Sequence, residues 1–121
     1  MGYQATPMLT EALAWRQKLQ SELERYLSLL LEHVSPEKVI LFGSMASGEA
    51  KAWSDIDLVV VMPTKQRFLD RSKTVLQLFQ PRVGVDVLVY TPEEFEHLCR
   101  ERSFSQQEIV KKGKVLYERS R

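Results

Sequence analysis

Asp55 and Asp57, separated by Ile56 and followed by the apolar run Leu58-Val59-Val60-Val61-Met62, are the residues of this chain best placed to do chemistry. Side chains alternate across a strand, so residues two apart share a face and the two carboxylates converge while Ile56 points to the core. Upstream of Asp55, with ten residues between, stands Gly43-Ser44, at the end of the apolar run Val39-Ile40-Leu41-Phe42. A strand that ends in Gly-Ser turns its backbone amides outward, where they can meet an anion. Paired hard oxygen ligands beside an anion-binding turn suit Mg2+, which is held by a few carboxylates together with substrate phosphates. Taken alone, each half is ambiguous: Gly-Ser is common in ordinary turns, and Asp55 is compatible with a plain strand start.

The elements that must position these groups follow from periodicity. Ala12, Trp15, Leu19, Leu23, Tyr26 and Leu30 recur at helical steps and predict an amphipathic helix from about Thr10 to His33, ended by Ser35-Pro36. Strands are expected over Val39 to Phe42, Asp55 to Met62 and Val83 to Tyr90, with a short helical segment over Met45 to Ala50. A second helix is expected from Lys65 to Phe79, closed by Pro81. Thr91-Pro92-Glu93-Glu94 joins an N-cap threonine, a first-turn proline and an acid at the third position, predicting a helix to about Arg100. Ser105-Gln106-Gln107-Glu108 repeats that logic for a fourth helix, Gly113 suits its C-terminal cap, and Val115-Leu116-Tyr117 reads as a short last strand. The sum is α/β: a small mixed sheet of three to four strands with packed helices, whose spatial strand order local pattern does not encode.

The set Gly43, Ser44, Asp55 and Asp57 resembles the signature of the polymerase-beta-like nucleotidyltransferase superfamily, and in size the chain looks like its minimal nucleotidyltransferases (MNT), the antitoxins of HEPN/MNT pairs. The resemblance covers about Val39 to Tyr90 and, more loosely, Lys114 to Glu118. It implies the nucleotidyltransferase fold and a third carboxylate from a later strand, which Asp86 in Val83-Gly84-Val85-Asp86-Val87-Leu88-Val89-Tyr90 supplies. An acid inside so apolar a strand is expected to be buried and in need of a partner. By the same resemblance, Asp55, Asp57 and Asp86 would be catalytic and would hold two Mg2+ ions, with Asp86 helping to deprotonate the acceptor. Gly43, Ser44 and Lys51 would bind the triphosphate of ATP. Relatives often carry a base directly after the Gly-Ser pair, where this chain has Met45, and Lys51 is the cation between Ser44 and Asp55.

The implied activity is transfer of AMP from ATP to a hydroxyl, a tyrosine of a helical HEPN toxin partner. The alternative from another class is a non-catalytic nucleotide-binding module that neutralises a partner by contact, and transfer to a small-molecule hydroxyl is a third reading. Composition sets the frame. The chain has 121 residues, 44% of them hydrophobic, enough for one core, so residues 1–121 are expected to form one domain: first helix about 10–33, catalytic core about 39–90, C-terminal helices and strand 92–118. Seventeen basic against 16 acidic residues give a net charge of +1, no signature of a general nucleic-acid or membrane surface. One cysteine, Cys99, excludes an internal disulfide, and the absence of a signal peptide or long apolar run makes the cytoplasm the expected compartment. Trp53 is a candidate for base stacking, with loop packing the commoner role, and His33 and His97 lack ligand spacing. Leu29, Leu30, Leu31 and Trp15 give the first helix a broad apolar surface, for the core or for a partner.

Overall fold

The computed structural model describes residues 7–43, 55–101 and 113–119, with side chains from Leu13 onward in the first helix. The chain runs α1 (Pro7–His33), β1 (Lys38–Phe42), β2 (Ile56–Val61), α2 (Phe68–Phe79), β3 (Val85–Tyr90), α3 (Pro92–Arg100) and β4 (Lys114–Glu118). The strands form one sheet in the order β3-β2-β1-β4. β1 is antiparallel to both β2 and β4, while β2 and β3 are parallel and joined through α2, so the sheet is mixed. Parallel neighbours need such a crossover, since a tight turn reverses the chain.

Alternation along β2 divides the core in two. Ile56, Leu58 and Val60 meet Leu19, Leu23, Tyr26 and Leu30 of α1 and Val75 and Phe79 of α2. Val59 and Val61, with Ile40, form a smaller cluster on the opposite face, against Phe95 and Leu98 of α3. A strand apolar on both faces is one that is covered on both, which explains the unbroken run Leu58 to Val61. Trp15, Leu27 and Leu29 pack on the larger cluster, whereas Leu31 is exposed.

A buried polar knot pins α1 to the loop entering β3. Glu22, only 4% exposed, accepts from Arg25 Nε and Nη2 at 2.9 and 2.8 Å, from the Tyr26 hydroxyl at 2.7 Å and from the Arg82 backbone N–H at 3.1 Å. Arg25 also donates to the Phe79 carbonyl at 2.6 Å, satisfying one of the orphan acceptors at the end of α2. These bonds, Arg25 foremost and against the cost of burial, hold the Glu22 carboxyl down at about 2. Tyr26 stacks on Phe79 with ring centroids 4.2 Å apart.

The helix starts depart from expectation. α2 begins at Phe68, not Lys65: the Gln66 N–H turns back to the Thr64 hydroxyl and the Gln66 carbonyl accepts from Arg71 Nε, while Arg67 is extended as the N-cap. α1 starts earlier than Thr10, at Pro7, whose missing N–H costs nothing in a first turn. The box at α3 forms as its residues predict, Thr91 and Glu94 exchanging side-chain and backbone bonds. The expected helices over Met45 to Ala50 and from Ser105 lie outside the described residues. No helix among the described residues is long and apolar enough to cross a membrane.

Candidate active site

The parallel register of β2 and β3 sets Asp57 directly beside Asp86. Each is the second residue of its strand, so both carboxylates project from the same face, with backbones about 4.8 Å apart, at the end where the two strands begin. Phe42, the last residue of β1, pairs with Asp57 from the other side and completes this row. Asp55 stands one residue before β2 and is exposed, as is Asp86; Asp57 is half-buried. The expected strand start at Asp55 thus moves to Ile56, and Asp86 does not suffer the burial that its apolar neighbours suggested. It lies at the strand's open end, where water reaches it.

Two glycines make room for the acids. Gly43 adopts φ +75°, a left-handed conformation that any side chain strains, and a Cβ there would overlap the Asp57 carboxylate. A Cβ on Gly84 would overlap the Asp55 carboxylate, and the Gly84 carbonyl accepts the Ile56 N–H at 3.0 Å. Gly84 was not among the site residues expected from sequence, although a glycine inside a strand pattern signals close approach of another group. Glu22 and Arg25, which hold the loop leading to Gly84, carried no such signal.

Electrostatics act on Asp57. Burial, then the charges of Asp86 and Asp55, then a hydrogen bond with Asp86, push the Asp57 carboxyl up to about 6. Like charges this close resist simultaneous ionisation, so Asp57 holds its proton more tightly than an isolated carboxylate and would release it to a cation. Among the described residues no three His, Cys, Asp or Glu side chains are drawn together at metal-binding distance. The oxygen donors nevertheless fit Mg2+ in kind, because that ion takes one or two carboxylates and completes its shell with phosphate and water. Ser44, Lys51 and Trp53 lie outside the described residues.

The fold agrees with the comparisons to known proteins. Residues 24–121 match the family model for polymerase beta nucleotidyltransferases, and the chain belongs to that family. It is a nucleotidyltransferase by membership, a family that generally uses divalent metals. A candidate nucleotidyltransferase from Sulfolobus solfataricus superposes with a TM-score of 0.66 at 21% identity, over 98% of this chain and 93% of that one. A toxin–antitoxin structure with AMP-PNP gives 0.54 at 20% identity, covering 79% and 73% of the two chains. A mutant of the toxin–antitoxin pair MntA–HpeT gives 0.53 at 21%, over 80% and 72%. No curated protein matches the chain.

Proposed function

We propose that this protein is a Mg2+-dependent nucleotidyltransferase that moves AMP from ATP to a hydroxyl, and that the hydroxyl is a tyrosine of a helical HEPN toxin, for which the chain is the antitoxin. The reading takes residues 1–121 as one catalytic domain working in the cytoplasm. The observation that carries it is the Asp57–Asp86 row at the open end of the sheet, flanked by Asp55 and by the left-handed turn at Gly43. Likeness in fold to toxin–antitoxin structures, one of them with AMP-PNP, supports the choice of nucleotide and partner.

In this mechanism Asp55, Asp57 and Asp86 would hold two Mg2+ ions, which when bound would neutralise phosphate charge and stabilise the attacking and leaving oxygens. Gly43 and Ser44 receive the triphosphate, and Lys51 adds positive charge to it. The acceptor oxygen attacks the α-phosphorus, its bond to the bridging oxygen breaks, and pyrophosphate leaves. Asp86, at the exposed edge of the row, takes the acceptor's proton. Alignment of acceptor and phosphate is the larger part of the task, because little covalent chemistry remains for the protein to supply.

Co-expression with a helical HEPN-type protein, followed by intact-mass analysis of that protein, tests this. One or more adenylate masses are expected with wild type and none with the Asp55→Asn, Asp57→Asn double variant. Neutralisation of the partner by the double variant with no change of mass would instead establish the contact-only module.

A further inference from the structure

On the same side of the sheet as the acids, but at the far end of β3, a cavity of about 440 Å³ opens between α3 and the start of α2. Its floor is apolar, made by Leu98 and by the rings of Phe68 and Tyr90, whose centroids lie 5.6 Å apart. Among the described residues its walls carry three carboxylates, Glu93, Glu94 and Glu101, with His97 and no lysine or arginine. In a chain with 17 basic and 16 acidic residues this is a local excess of negative charge. Arg71, buried beneath, satisfies Glu94 at 2.6 Å, and Glu101 lies 2.9 Å from His97 Nε2. Glu93 is exposed on the first turn of α3.

Among the described residues nothing covers the groove. A helix lying on a sheet ordinarily buries an apolar stripe, yet no side chain of α3 is buried. Phe68 is 38% exposed and Leu69, its neighbour, 77%. Apolar surface left open inside a polar rim marks an interaction site.

We propose that this groove docks a basic amphipathic segment of a partner protein. A leucine-sized side chain enters between Phe68, Tyr90 and Leu98, and flanking lysine or arginine side chains meet Glu93 and Glu101. The rim charge selects this occupant. Nucleic acid and anionic lipid present phosphates that these carboxylates repel, and an isologous contact with a second copy would bring two acidic rims together. Tyr90 and Asp86 share a face of β3, four residues and about 13 Å apart, so a partner seated here has its adjoining segment within reach of the acids. That last consequence rests on the proposed transfer reaction; the docking itself does not.

Fluorescence anisotropy with a labelled leucine–lysine peptide of about 16 residues, long enough to form a helix, supplies the test. Saturable binding that weakens with added salt is expected, with no binding by a peptide carrying glutamate for lysine. Glu93→Lys with Glu101→Lys should raise Kd about tenfold while leaving the melting curve cooperative. Phe68→Ala should weaken the same peptide without altering its salt dependence. No saturable binding, equal binding of both peptides, or an unchanged Kd in the charge-reversed variant would overturn the proposal. So would light scattering that shows a wild-type dimer dissociated by Leu69→Ser, which would assign the groove to a second copy. Asp55→Asn with Asp57→Asn should bind the peptide as wild type does, so failure of the transfer reaction and failure of the groove are read separately.

Discussion

Replacing Asp57 by asparagine should make the metal-free protein more stable at neutral pH, although it removes a residue central to the proposed site. In the folded chain the Asp57 carboxyl sits at about 6 against an ordinary 3.8. The folded state therefore binds more protons than the unfolded chain between these values, and stability falls as pH rises through the window. A gap of about two pH units corresponds to about 3 kcal/mol, an upper figure because Asp86 shares the interaction and the side chain is only half-buried. Asparagine keeps the shape and cannot ionise. Urea unfolding in EDTA from pH 4 to pH 8 should show wild type and Asp57→Asn converging at the acid end. The variant should lead by about 1–3 kcal/mol above pH 7. Glu22, held low in both proteins, loses its contribution as pH falls from 4.5 towards about 2 and cancels in the difference. Added Mg2+ and ATP should raise the wild type and leave the variant unmoved, because a cation relieves the same repulsion. A gap constant across the pH range, or a variant less stable than wild type at pH 7.5 in EDTA, would refute the argument.

Glu22→Gln should cost about 1–3 kcal/mol in the same unfolding assay, since the part-exposed Arg25 would lose its counter-charge; a loss under about 0.5 kcal/mol would show that the knot is dispensable. Gly84→Ala should displace Asp55 and abolish joint stabilisation by Mg2+ and ATP while the apo protein loses only about 1 kcal/mol, a separation that paired melting curves would reveal. Asp86→Asn should bind nucleotide by calorimetry yet transfer adenylate about a hundredfold more slowly, and wild-type transfer would remove it from the acceptor side.

Local chemistry along the chain determined the helix under Thr91-Pro92-Glu93-Glu94, the strands that carry Val39 to Phe42 and Leu58 to Val61, and the candidacy of Asp55 and Asp57, because capping bonds, strand alternation and turn glycines act over a few residues. The start of α2 escaped it, since side-chain bonds to Thr64 and Gln66 hold the preceding residues out of the helix. Tertiary structure alone decided which strands are neighbours. No periodicity tells β3 to lie parallel to β2 in the register that seats Asp86 at Asp57, or tells the Glu22 knot to hold the loop that brings Gly84 against Asp55. The same pairing left Asp86 at the open end, where its apolar sequence neighbours had suggested burial. Periodicity reports which face of an element is apolar; the partner of that face, and the depth at which each residue ends, are set by contacts between residues far apart in the chain.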